Sequence, residues 1–337
     1  MAQRRGDGIG SRGVTRRDVL KLGAAIGPSI LLPGWSERVL AQDAYPTRAI
    51  DILYGFGAGS SGDLTCRLTA AYLRKKWNVA INVINKPGGN TVPANLDLYN
   101  AKPDGYTLMG DPPGSSSMLA AVVKNLPFKV MDRTFIAMIA TNSLLLVVPP
   151  TSPIKTLKDL ADEVKRNPEQ FTWTSQGGAA TSDLVFRKFA KAIGVDISKT
   201  KPVTARGTPE IATLTAGGQV KVGVLIIATA LAPIQAGLIR PLALAAAERS
   251  PSLPDVPTGA EQGYPTISTL SFTGISGPPK LPSYIVDKWN VALQEMLKDR
   301  EIISQLNKIG SIPFYMNARE FRQYIMDEAA LVEKLYG

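Results

Sequence analysis

The 337-residue chain contains no histidine and a single cysteine, Cys66. The first absence removes Ser-His-Asp and Cys-His catalysis, the common zinc constellations and most general-base chemistry near neutral pH. The second removes any intramolecular disulfide and any cysteine-ligated cluster. With no base in view, the lone thiol reads as a small core residue on a buried helix face. Long apolar runs are missing as well. The run from Leu22 to Pro33 is broken by Gly23, Gly27 and Pro28, and a spanning helix needs about 20 predominantly apolar residues. Basic residues are scattered rather than gathered into a stripe with interleaved aromatics, so nucleic acid is not an expected partner. No catalytic residue, metal or cofactor is expected, and the chain is not expected to be an enzyme.

What is present begins with Thr15-Arg16-Arg17-Asp18-Val19-Leu20-Lys21, a twin-arginine export signature. A charged start, the short apolar run and small residues at Val39-Leu40-Ala41 make residues 1–41 a signal peptide with cleavage after Ala41. The product is expected in the periplasm, delivered by the twin-arginine export machinery. Cleavage leaves 296 residues carrying 31 Lys/Arg and 25 Asp/Glu, a net charge of +6. That length suits two lobes, and the mild basic excess suits a small anion.

Strand and helix patterns alternate through the rest of the chain, which argues for α/β architecture with mostly parallel sheets. Ala49–Tyr54 reads as a buried strand, and Gly57 to Gly62 as a glycine-rich turn opening an amphipathic helix. Strands follow at 79–84 and 106–109 around a helix at 93–101. A continuously apolar run, Ser143–Val148, precedes a second unit. That unit has helices from Leu157, at 182–193 and at 209–216, and strands at 171–174, 201–204, 220–227 and 242–246. A proline- and glycine-rich stretch, 249–282, encloses one short strand near 269–275. Two helices, 283–297 and 318–335, close the chain. The lobes are expected at 45–143 with 254–337, and at 144–253.

Four turns fall where putative parallel strands meet helices. Gly57-Ala58-Gly59-Ser60-Ser61-Gly62 fits G-x-G-x-x-G, yet Val83-Ile84-Asn85-Lys86 lacks the acid that a dinucleotide ribose requires. Glycines there still let backbone N–H groups approach a ligand at a helix N-terminus, which favours an anion. Ser175 to Ser182 repeats the device, Gly114 to Ser117 supplies small hydroxyls, and Ala205-Arg206-Gly207-Thr208-Pro209 has Thr208 as expected N-cap and Pro209 at the first helical position. Any one is compatible with an ordinary βα turn; four in two lobes favour a shared cleft.

The chain resembles the periplasmic solute-binding proteins of tripartite tricarboxylate transporters, the TctC or Bug family. The resemblance covers residues 45–337. It rests on Tyr45-Pro46-Thr47-Arg48, Phe56 to Asp63, Asn85-Lys86-Pro87-Gly88-Gly89-Asn90, Pro103-Asp104-Gly105-Tyr106-Thr107-Leu108, Lys155 to Leu160, Gly217-Gly218-Gln219-Val220, Ile234 to Gly237, Arg249-Ser250-Pro251 and Leu253 to Thr258 with Glu261 and Gly263. It implies a two-lobed type II periplasmic binding protein fold, a monomer, a di- or tricarboxylate or aromatic carboxylate as ligand, and a membrane permease as partner. It assigns ligand contacts to Phe56, Gly57, Ala58, Gly59, Ser60 and Ser61, with Asp63 supporting. Opposite them it places Ser175, Gly177, Gly178, Ala179, Thr181 and Ser182, flanked by Ser115, Ser116, Arg206 and Gly207.

The departures from the family pattern define open questions. The F-x-P-G-G-x-x-D turn lacks its proline here, and Ser116 and Asp183 stand where relatives often carry histidine. The Tyr-Lys-Gly turn is Ala205-Arg206-Gly207, and the aspartate after Gly-Gly-Gln-Val is Lys221. Asp111 or Asp183 would repel an anion if either faced the cleft, so each points away or the ligand brings a donor. Asp63 complements its helix dipole or orders the first loop. Arg206 pairs with a ligand carboxylate or lies solvated at the rim, and Trp173 is a core residue or a stacking platform. Two other functions fit the leader: an exported dinucleotide-dependent oxidoreductase, and a receptor for a sensor kinase.

Overall fold

In a computed structural model the described residues are 45–336, and the expected signal peptide lies outside them. The elements in chain order are β1 (Ile50–Tyr54), α1 (Ser61–Trp77), β2 (Ile81–Asn85), α2 (Val92–Asn100), β3 (Thr107–Asp111), α3 (Ser117–Val122), β4 (Thr134–Val148), α4 (Leu157–Arg166), β5 (Thr172–Ser175), α5 (Thr181–Ala192), β6 (Lys201–Thr204), α6 (Thr208–Ala216), β7 (Gly223–Ile226), α7 (Ile227–Gln235), β8 (Arg240–Leu244), β9 (Leu270–Gly277), α8 (Ser283–Met296), α9 (Arg300–Lys308), β10 (Ile312–Met316) and α10 (Ala318–Tyr336).

β4 organises the molecule. Its fifteen residues are almost all buried, so two apolar stretches, Phe135–Ala140 and Leu144–Val148, flank a polar Thr141-Asn142-Ser143 step without polar alternation. From Thr134 to Ser143 it pairs antiparallel with β9. From Leu144 to Val148 it pairs with β7 on one side and β8 on the other. One sheet therefore runs β2-β1-β3-β9-β4-β10, with β2, β1, β3 and β4 pointing the same way. Beyond Ser143 the same strand enters a second layer, in which β8, β7, β5 and β6 share a direction opposite to β4. Helices cover both, giving two α/β lobes joined by β4 and β9.

Most expected elements are present, with two corrections. The strand expected at 220–227 is Gly223–Ile226, and the chain turns into α7 at Ile227; a short apolar run does not distinguish strand from helix. α3, the 134–142 part of β4, α9 and β10 were not anticipated, although Asp299 caps α9 by accepting from the N–H groups of Glu301 (2.8 Å) and Ile302 (3.3 Å). Residues 254–269 pack with the second lobe: Val256 and Ile267 join its core clusters, and Leu244 bridges Thr258.

Two side chains with open roles are core residues. Trp173 is 3% exposed, stacks on Phe186 at 4.6 Å and donates its indole N–H to Thr200 Oγ1 at 2.8 Å. Cys66 is fully buried against Gly110, where a Cβ would collide with Sγ. Burial and the nearby Asp63 charge push its thiol pKa up, so it stays protonated and inert.

α10 packs across both lobes. Partway along it, the Glu328 carboxylate accepts from Ser117 Oγ, and burial pushes its pKa up to about 7, against the pull of Lys188 on α5. A carboxyl raised above its unfolded value of 4.5 contributes stability that is full below that value and lost as pH rises through about 7. Partial solvent access discounts the full conversion, leaving about 1–2 kcal/mol. Glu328→Gln is expected to flatten the fall in urea stability between pH 5 and 8, and to stabilise the protein at pH 8.

Candidate functional site

The strand-to-helix turns of the two lobes meet between the sheets. The first runs from the end of β1 to α1, and Asp63 shapes it from the third position of the helix. One carboxylate oxygen accepts from the Gly59 N–H at 2.8 Å and from Arg67 Nε at 3.0 Å; the other accepts from Asn85 Nδ2 at 2.9 Å. Asn85 also donates to the Phe56 carbonyl at 3.1 Å. Asp63 therefore orders the loop.

The second turn, from β5 to α5, uses Asp183 in the same way and at the same helical position. Its carboxylate accepts from Ser175 Oγ, from the Gln176 N–H at 2.9 Å and from the Gly178 N–H at 3.2 Å. Gly177 and Gly178 take φ of +93° and +94°, left-handed values that cost a side chain, and these bring the loop around the acid. Desolvation raises the Asp183 pKa against the opposing pull of those donors and Arg187.

Asp111 is settled likewise. It is fully buried against Arg133 at 2.9 Å, both side chains at 0% exposure. Arg133 also donates to Asn95 Oδ1 and to the Ser115 carbonyl at 2.8 Å, fixing the turn after β3. Asp63, Asp111 and Asp183 all point into their own lobes, and none lines the cleft.

The cleft has two chambers. The inner one has a cavity volume of about 40 Å³ and is bounded by the starts of α1 (Ser60, Gly62), α5 (Ala180 to Ser182) and α6 (Thr208), with Tyr54, Leu144 and Ile226 as apolar walls. In α1, α5 and α6 the first helical bonds come from the N–H groups of Leu64, Leu184 and Ile211. The amides before them have no intrahelical acceptor, and the helix dipoles add positive potential there. No charged side chain lines this chamber. The outer chamber, about 240 Å³, is bounded by Gly88 to Thr91, Gly177, Ala179 and Arg206. Phe56, Gly114 and Gln176 line both and form the neck. Gly114 is required at this neck: a Cβ would stand 2.6 Å from Phe56 Cζ and 2.7 Å from the Ala179 carbonyl.

The lobes touch at the rim, where the Gly57 N–H donates to the Arg206 carbonyl at 3.3 Å and Gly207 packs on Gly57. The Arg206 side chain is exposed and borders the outer chamber.

The expected site residues divide accordingly. Phe56, Ser60, Thr181 and Ser182 line the inner chamber, and Gly177, Ala179 and Arg206 the outer. Gly57 and Gly207 form the rim contact, while Ala58 and Gly59 are exposed outside both chambers. The Ser61 hydroxyl turns inward to Asn142 Oδ1 at 2.5 Å, Ser116 Oγ bonds the Pro112 carbonyl at 3.1 Å, and Ser175 Oγ is held by Asp183. Ser115 is buried outside both chambers. Gly178 is bonded at its N–H by Asp183. These hydroxyls sit where the cleft is assembled rather than where it is open.

Thr208 is a further correction. Gly207 is the N-cap of α6 and Thr208 its first residue, with no capping bond. Its hydroxyl is instead buried without a partner in the wall of the inner chamber. Tyr54 and Leu144 were also not anticipated, and Gln176 only as part of the 175–182 loop; β-strand and loop residues of ordinary type carry no local signal that they face a ligand.

Among the described residues there is no group of His, Cys, Asp and Glu suited to a metal ion, and no helix long and apolar enough to cross a membrane.

The family described as tripartite tricarboxylate transporter family receptor, TctC, matches residues 65–336. The chain is 31% identical to the UPF0065 protein in the gbd 5' region of Cupriavidus necator, over 87% of this chain and 89% of that one. It is 27% identical to Protein BugT of Bordetella pertussis, over 92% and 95%. In three dimensions it is similar to an R. palustris protein solved with adipate, at a TM-score of 0.81 and 26% identity over 86% of this chain and 97% of the other. Periplasmic binding protein BugD shares the fold at a TM-score of 0.80 and 23% identity, covering 87% and 97%.

Proposed function

This chain belongs to the tripartite tricarboxylate transporter receptor family, whose members are non-enzymatic solute-binding receptors, and from that premise we propose that it captures an organic anion with two polar ends for a membrane permease. One observation carries the reading: three helix N-termini converge on a chamber that no acidic side chain enters. Free amides and dipoles there favour a carboxylate, and the unpartnered Thr208 hydroxyl offers it a donor. The neck at Phe56 and Gln176 leads to Arg206, which suits a second anionic group. The adipate-bound relative supports a ligand of that kind.

The lobes would act as two bodies, 46–143 with 270–336 and 144–269, hinged at β4 and β9, with the Gly57–Arg206 contact marking closure. The twin-arginine leader would place the receptor in the periplasm. Thermal shift with a panel of mono-, di- and tricarboxylates tests the reading. A rise in midpoint with at least one acid is expected; no rise with any of them, together with absorbance from copurified flavin or nicotinamide between roughly 300 and 500 nm, would favour an oxidoreductase.

A further inference from the structure

The helix α10 belongs to the first lobe at its start and touches the second at its end. Phe321 and Ile325 pack with Phe135 and Met138 of β4 and Phe272 of β9. Two turns later, Val332 packs with Met118 of α3 and Leu184 of α5, with Leu335 and Tyr336 beside them. Tyr324, Glu328, Val332 and Tyr336 fall at four-residue intervals, so one stripe of the helix crosses the junction between the lobes.

The last member of that stripe reaches the second loop of the cleft. Tyr336 donates its hydroxyl to the Gly178 carbonyl at 2.7 Å. Its ring lies 4.5 Å below the Arg187 guanidinium, one turn along α5 from Asp183. The N–H of Gly178 is already held by Asp183, so that residue's backbone is gripped from both sides. Asp183 grips it from within the lobe, and Tyr336 from outside it.

We propose that Tyr336 is a positioning residue for ligand binding: through Gly178 it holds the 175–182 loop in its cradle shape and ties that loop to the first lobe. A glycine at φ of +94° has other conformations open to it, and a single backbone acceptor bond is enough to bias among them. The inference rests on the reading of 175–182 as a ligand loop, but its test uses the unliganded protein. A failure to bind any carboxylate would therefore sink that reading without touching this result.

The experiment compares amide hydrogen exchange in wild type and Tyr336→Phe, with thermal midpoints measured alongside. A net hydrogen bond of ordinary strength corresponds to about a fivefold to tenfold change. Exchange at 176–180 is expected to speed up by that factor, while 57–61 in the first loop and the core strands stay as they were. The midpoint should fall by no more than about 2–3 °C. Unchanged exchange at 176–180 overturns the proposal. So does a uniform rise across α5 and α10 with a lowered midpoint, because that is the signature of general packing. Arg187→Met is the second variant; it leaves the Tyr336 hydroxyl in place and is expected to speed exchange at 176–180 less than Tyr336→Phe does, and a larger effect would contradict the assignment to the hydroxyl.

Discussion

Asp183→Ala is expected to abolish ligand binding and to lower the unfolding free energy by about 3 kcal/mol. The carboxylate satisfies Ser175 Oγ and the N–H groups of Gln176 and Gly178, all in a buried loop. Alanine leaves those donors without an acceptor, and each buried unsatisfied group costs about 1–3 kcal/mol before relaxation. Relaxation limits the loss in stability, because two left-handed glycines let the loop rearrange towards water. The same relaxation destroys the cradle, so affinity should fall by at least roughly a hundredfold, or about 2.7 kcal/mol. Asp183→Asn separates the contributions. It keeps one acceptor oxygen, so stability should largely return while affinity recovers only in part. Calorimetric titration with the best carboxylate and urea unfolding of the same samples check both halves; wild-type affinity in Asp183→Ala would show that the loop does not form the site.

Arg133→Met is expected to destabilise the protein by about 3–5 kcal/mol, since it strands a buried carboxylate. Arg133 and Asp111 are both at 0% exposure, and the guanidinium also holds Asn95 and the Ser115 carbonyl. The turn it secures carries Pro112 and Gly114 into the inner chamber wall, so binding should weaken together with stability. The double variant Arg133→Met/Asp111→Leu removes the uncompensated charge and is expected to recover more than half of the lost stability. Urea unfolding with matched slopes provides the measurement. An additive double variant would mean that the pair contributes nothing as a pair.

These two residues also show where reading the sequence succeeds and where it stops. The alternation of strands and helices, and the glycine turns between them, are local patterns, and they place Ser60, Thr181 and Ser182 at the cleft. The acidic residues look in sequence like obstacles to an anion. Folded, Asp63 and Asp183 are the supports of the two turns, because each sits at the third residue of its helix within reach of preceding backbone N–H groups. The direction of a side chain at a helix start depends on the loop that wraps it, which is not a local property. Arg133 carried no signal because its partners, Asp111, Asn95 and Ser115, meet it only through the sheet order. Thr208 had a strong local signal as a cap, and that signal misled: the chain enters α6 one residue earlier, from Gly207. The strand shared by the two lobes was half legible. The Ser143–Val148 run marks the second-lobe half of β4, but its first half and the long stay of 254–269 on the second lobe arise from tertiary pairing.

In the proposed mode of binding, helix N-termini and hydroxyls of a chamber without charged side chains recognise a carboxylate by its charge. Isothermal titration of residues 45–337 with adipate and with its neutral counterpart adipamide tests it most directly, extended to shorter and longer diacid–diamide pairs. The account predicts that at least one diacid binds with one-to-one stoichiometry and a dissociation constant on the order of micromolar or tighter, and that its diamide binds at least roughly a hundredfold more weakly. A diamide that binds as tightly as its acid, or a series in which no acid binds, would contradict it.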